Sequence, residues 1–219
     1  MSIDDKIKRI GKRNWQTIAD LWIDYISIID FPILAEYDES TIDMILLEKY
    51  REVVSIETKS TERDHFVETP GVNVALFSES ILLAYKGINS LKSAQCDQLA
   101  GYKSWSISNY YQASYFFCKS ILALLGIGFF RTSTNKDLLI DVYPDYGNDK
   151  KRAAKYFEEK LSKVQIISQF EHHEVWTIFK RLIGITGELD VEREYINKIR
   201  NIDPKEFAKQ RNKLIYHNG

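Results

Sequence analysis

Proline and glycine are scarce in this sequence, four and ten among 219 residues. Such scarcity excludes long linkers and low-complexity tracts. Cysteine is scarcer still. Cys96 and Cys118 are the only two, and they form no C-x-x-C pair of the kind that holds zinc or runs dithiol chemistry. Cys118 lies in an apolar stretch and has the character of a small core residue. Two unpaired cysteines suit a reducing compartment, so a cytoplasmic location is expected. Long hydrophobic runs are missing as well. The longest uncharged one, "ILALLGIGFF" over 121–130, is too short to cross a bilayer. The opening "MSIDDKIKRIGKRNW" carries charges but no apolar core, which excludes a secretory signal. Nor does either sign of charge dominate. The formal net charge is −1, so the chain as a whole does not attract nucleic acid, and any anion binding must come from local clusters. No internal repeat, P-loop, dinucleotide-binding glycine pattern, G-x-S-x-G or kinase motif is present.

Helical periodicity is abundant instead. The chain is long enough for one buried core, or for one domain with an added subdomain. In "NWQTIADLWIDYISII" the residues Trp15, Ile18, Leu21, Trp22, Tyr25 and Ile29 recur at three- and four-residue spacing, which predicts an amphipathic helix ending near Pro32. "STIDMILLEKYREVVSI" predicts a second helix capped by Ser40 or Thr41. The polar stretch 57–70, "ETKSTERDHFVETP", is expected to be a loop. Residues 1–70 therefore form an N-terminal helical layer of unassigned role, and residues 71–219 the main helical domain.

A third helix is expected over "VALFSESILLAYKGINSLKSA". Gly101 separates it from "SWSISNYYQASYFFCKSILALLGIG". There Trp105, Ile107, Tyr110, Tyr111, Tyr115, Phe116, Phe117, Ile121, Leu122, Leu124 and Leu125 surround almost the whole helix. Such a helix is predicted to be the central, buried one, stopped by Gly126 and Gly128. A short extended excursion is expected near 138–143, ending in a turn at Pro144–Gly147. "DKKRAAKYFEEKLSKVQII", "HHEVWTIFKRLIGI" and "LDVEREYINKIR" predict three more helices. Asp203 caps a last one, with Pro204 in its first turn. The expected class is all-α, a helical bundle.

The last helix, "DPKEFAKQRNKLIYHNG", carries the pattern with chemical content. Arg211 falls four residues after Phe207 and three before Leu214, on the apolar stripe. A guanidinium there must meet a carboxylate, reach solvent, or face a cleft or a subunit interface. His217 follows six residues later. On one straight helix the two are about 120° apart and about 9 Å apart along the axis, so a single copy does not bring them to one small group. Between Lys198 and Lys213, six basic residues (Lys198, Arg200, Lys205, Lys209, Arg211, Lys213) stand against Asp203 and Glu206. That local excess suits a phosphate-facing patch, and it equally suits a solvated helix face. "EHHE" at 171–174 invites a metal reading, but adjacent helical residues point about 100° apart, and the H-E-x-x-H spacing is absent. No metal and no cofactor are expected.

"RNKLIYH", taken with the aromatic helix "SNYYQASYFFCKSILALLG", resembles the HEPN superfamily (higher eukaryotes and prokaryotes nucleotide-binding). The family's signature is an Arg followed by a polar residue and, four to six positions after the Arg, a His. Arg211, Asn212 and His217 match it. Its aromatic helix is similar to Tyr110–Leu122, with Lys119 in place. The likeness covers about residues 75–219. It implies a HEPN-type helical bundle and a metal-independent endoribonuclease in which two protomers pair so that both motifs line one cleft. RNA supplies its own nucleophile, the 2′-OH. His217 would move the proton, Arg211 would stabilise the phosphorane charge, and Asn212 would orient either the His or the phosphate. Lys205, Lys209, Lys213 and Tyr216 are the expected RNA contacts. The partners this implies are RNA, a second copy of the chain, and an antitoxin or other protein in a defence or toxin–antitoxin setting; no membrane partner is expected. Two alternatives stay open. One is a non-catalytic HEPN-like module binding nucleotide, RNA or a protein. The other is a helical interaction protein in which Arg211 and His217 are structural.

Overall fold

A computed structural model of the chain describes Trp22 and residues 64–68, 72–131, 137–142, 161–167, 172–185, 193–203, 205, 206, 209, 212 and 213. The helices expected over 14–29 and 40–56 lie outside these residues, Trp22 apart. In chain order the elements are β1 (Asp64–Glu68), α1 (Val72–Leu99), α2 (Lys103–Leu124), β2 (Ile127–Arg131), β3 (Asp137–Asp141), β4 (Leu161–Ile167), α3 (His172–Ile185) and α4 (Arg193–Asn201). Most described residues are helical, as the periodicity predicts. No helix of the described residues is long and apolar enough to cross a membrane.

The chain divides into two compact units, each made of two stretches. One joins Met1–Glu79 with Ala123–Phe170, the other Ser80–Leu122 with Glu171–Gly219. The first holds a four-stranded antiparallel sheet in the order β1-β4-β3-β2. The all-α expectation, with its one excursion near 138–143, contained no such sheet. That excursion is β3, paired on both edges. Residues 64–68, expected within a loop, are β1. Residues 161–167, expected at the end of a helix, are β4, and the expected run of α2 to Gly128 stops at Leu124. A strand is stabilised by its ladder partners, which a helical reading of one stretch does not include. For β1 and β4 the ladder is non-local, Asp64 pairing with Gln165 far along the chain, whereas β2 pairs with the nearby β3. In β3, Leu138, Leu139 and Ile140 are all buried, so both faces of this central strand are covered.

Gly126 ends α2 as predicted. Its φ is +78°, its N–H donates to the carbonyl of Ala123 (2.9 Å), and its own carbonyl accepts from Val142 N–H (3.0 Å). The indole N–H of Trp22 donates to the carbonyl of Leu124 at 3.2 Å, satisfying one of the groups that a helix end leaves without an intrahelical partner.

In the second unit α1 and α2 form an antiparallel hairpin. Ser120 Oγ donates to the carbonyl of Ser80 (2.9 Å) in the interior, and Gly87 lies against the ring of Phe117. Near the turn, Asn109 Nδ2 donates to Asp97 Oδ2 (2.8 Å) and Tyr110 Oη to Gln98 Oε1 (2.7 Å). The turn itself is a Schellman closure. Gly101 has φ +85°; its N–H donates to Gln98 O (3.2 Å), and Tyr102 N–H donates to Asp97 O (2.8 Å). α3 buries Val175, Trp176, Ile178, Phe179, Leu182 and Ile183, including all four residues predicted to share its inner face.

α2 is not buried all round. Trp105, Ile107 and Ile121 are exposed. The apolar count was right, but the first turn of α2 follows directly from the hairpin turn, where Trp105 is left in water.

Candidate nucleic-acid interface

The chemistry expected from sequence centres on the chain beyond α4. On α4 itself, Lys198 pairs with Glu194 at 2.7 Å, and both side chains are solvent-exposed. Just past its end, Lys180 of α3 donates to the carbonyl of Ile202. This contact fixes where the chain leaves α4. Asp203 then does what its position predicts. Its Oδ1 accepts from the backbone N–H groups of Lys205 (2.9 Å) and Glu206 (3.2 Å), an N-cap that opens a new helical segment.

Lys205, Glu206, Lys209, Asn212 and Lys213 are helical and exposed. Lys205, Lys209, Asn212 and Lys213 fall within about 100° of arc on a helix, so they share one face. Glu206 approaches Lys209 at 3.9 Å with both side chains well exposed, a contact of little energetic weight. The face therefore carries three ammonium groups and one amide, with the carboxylate of Glu206 at its edge beside Lys209. Lysines so placed can meet phosphates as flexible point charges. Such a stripe positions a phosphodiester backbone without reading its sequence.

Of the expected catalytic residues, Asn212 is on this face. Arg211, His217 and the expected RNA contact Tyr216 lie outside the described residues. Lys205, Lys209 and Lys213 are helical and exposed.

Two features escaped the sequence reading. His172, half of the "HH" in "EHHE", is not directed to a metal cluster, and among the described residues no group of three His, Cys, Asp or Glu could hold an ion. Its ring stacks on Tyr115 (centroids 4.3 Å apart, planes 11° apart), and its Nδ1 lies 3.2 Å from the hydroxyl of Tyr111. Tyr111 and Tyr115 are neighbours on α2, one turn apart, so the imidazole joins a ready-made aromatic ledge. The second feature is the exposed hairpin tip, with Leu99, Tyr102 and Trp105. Its signal was legible: Gly101 between two long helices marks a turn, and aromatics within four residues of a turn are poorly placed for a core.

Comparison with protein-family models, curated proteins and solved structures gives no match.

Proposed function

We propose that this chain is a HEPN-like, metal-independent endoribonuclease that works as a two-fold homodimer on single-stranded or loop RNA. The observation that carries the reading is the Asp203-capped helical segment, which bears Asn212 of the Arg-Asn-x₄-His pattern on an exposed lysine stripe. In this reading the stripe holds the phosphodiester backbone, and Arg211 and His217 do the chemistry. His217 takes the 2′-OH proton. The 2′-oxygen attacks the adjacent phosphorus, and Arg211 neutralises the charge that builds on the phosphorane oxygens. The departing 5′-oxygen receives a proton. Arg211 and His217 diverge around one helix, so the two copies of the motif converge across the dimer axis to complete each site. A cytoplasmic defence or toxin–antitoxin role, restrained by an antitoxin or other protein, follows from the family resemblance.

The test is cleavage of a single-stranded RNA in EDTA. Cleavage should persist and leave a cyclic phosphate and a 5′-OH. Activity lost in chelator and restored by Mg²⁺ or Mn²⁺ overturns the mechanism, and a monomer by light scattering at micromolar concentration overturns the shared site. A second reading, a HEPN-like module that binds RNA without cutting it, is favoured by the exposed aromatic tip of the α1–α2 hairpin, which has no part in this chemistry.

A further inference from the structure

The α1–α2 hairpin carries an exposed stripe that no packing among the described residues accounts for. On α1, Tyr85, Ile88, Lys92, Cys96 and Leu99 are all exposed. Their spacing of three, four, four and three places them within about 80° of arc, one face of the helix. The line runs into the turn, where Leu99 is 90%, Tyr102 62% and Trp105 70% exposed. Tyr102 occupies the position after the left-handed glycine, where an apolar side chain usually packs back onto the helix it has just left. Here that packing is absent: the residue at the matching helix position is Asp97, held by Asn109, and Tyr102 points to water. The tip is nevertheless firm, because Asn109 and Tyr110 clasp Asp97 and Gln98. An exposed indole and phenol on a rigid support suit a ligand with flat faces.

Charge selects the ligand. Between Ser80 and Leu122 the chain has four lysines (Lys86, Lys92, Lys103, Lys119) and a single acid, Asp97. This is a marked positive excess within a chain of net −1. Lys103 falls between Tyr102 and Trp105 in the sequence and is itself exposed, as is Lys92 in the middle of the α1 stripe. A second copy of the chain fits poorly. Two-fold pairing centred on this stripe would set Lys92 close to its own copy. Rings interleaved with ammonium groups are the pattern that binds single strands: bases stack on the rings and phosphates meet the lysines.

We infer that the tip of the α1–α2 hairpin, through Tyr102, Lys103 and Trp105 with Lys92 behind them, is a stacking platform for single-stranded nucleic acid. The choice of nucleic acid over an acidic protein rests on the RNA reading proposed above. The platform holds unpaired bases and is separate from the residues that cut.

The experiment uses the full chain and a labelled deoxyoligothymidylate of ~12 nucleotides, a length within the usual site sizes of such binders. Lacking a 2′-OH, this probe cannot be cut by 2′-OH attack. Binding is read by anisotropy. Trp105→Ala and Tyr102→Ala should each weaken binding by roughly tenfold or more, the scale of one lost stacking contact. Trp105→Phe and Tyr102→Phe, which keep a ring, should stay near wild type. Lys92→Glu with Lys103→Glu should weaken binding and flatten its salt dependence. Unchanged affinity in Trp105→Ala overturns the proposal. So does the absence of binding by the wild type at low salt, or a change in oligomeric mass in Trp105→Ala with affinity unchanged, which would assign the tip to a protein contact. Failure of the cleavage reading is separately visible: RNA would stay intact while this probe still bound through the rings.

Discussion

Asp141 and Lys163 lie directly opposite each other in the β3–β4 ladder, and both are almost fully buried, at 0% and 2% exposure. Side chains directly opposite on adjacent strands approach within about 5.5 Å at Cβ. A charge held out of water is costly unless an opposite charge compensates it, and the register puts an opposite charge directly across the ladder from each of these two. Losing one partner should therefore hurt more than losing both. Lys163→Met or Asp141→Leu alone should lower stability by about 3–5 kcal/mol, and the double variant should recover most of that loss. Chemical denaturation of the four proteins measures it, and additive losses would remove the pairing. The cysteines give a second contrast. Cys118 is buried, and its thiol pKa is pushed well above 9.0 by that burial, with Lys119 pulling it partly back. Folding thus favours the neutral thiol. Its contribution is complete below the unfolded pKa and is lost as pH rises through the folded one. Wild-type stability should accordingly fall more steeply than that of Cys118→Ala above about pH 9. In the native protein, one thiol should react promptly with an aromatic disulfide reagent, the exposed Cys96, and the second only on unfolding.

At the scale of the elements, the α1–α2 hairpin depends on one close approach. A Cβ added to Gly87 would lie 2.8, 2.9 and 3.0 Å from three ring carbons of Phe117. Gly87→Ala in isolation would favour the helix by about 1 kcal/mol. Displacing a packed ring costs about 1–3 kcal/mol, so the variant should be destabilised, and Phe117→Leu in the same chain should restore stability. A melting temperature at or above wild type in Gly87→Ala would contradict the packing. The helices of this hairpin were legible because each runs more than twenty residues with helical spacing and a glycine at its end. The sheet was not. "DHFVE" is short and half polar, "IGFFR" continues an apolar helix, and "LSKVQII" has apolar residues at helical as well as alternating positions. β1 and β4 pair with each other across about a hundred residues, which nothing local announces, while β2 pairs with the nearby β3 but reads as the end of an apolar helix. Trp105 shows the converse limit. Helical spacing placed it among core residues, yet spacing records periodicity and not whether another element lies over that turn.

At the scale of the molecule, the site was legible in part. The acid that caps the last helical segment and the lysine face that follows it were readable, because capping and periodicity are local. Convergence of Arg211 with His217 belongs to the proposal alone, since both lie outside the described residues. The functional reading therefore stands on those two residues together. If both act on one phosphate, Arg211→Ala and His217→Ala should each remove most turnover, by about 10²–10⁴-fold, the usual effect of losing a proton-transfer group or a charge-stabilising donor. The double variant should be little worse than either single one, because residues that act as a unit do not add. Stability should follow a different order. His217→Ala should cost roughly 0.5 kcal/mol or less, as at a surface site, and Arg211→Ala more, because the residue falls on the apolar stripe of the sequence. A purely structural role for this pair would keep that stability order, with Arg211→Ala lowering the melting temperature, but would leave cleavage intact in all four proteins. RNA cleavage and melting temperature on the same four proteins decide between them. Wild-type cleavage by a folded double variant would leave a helical module whose Arg-Asn-x₄-His pattern is coincidental.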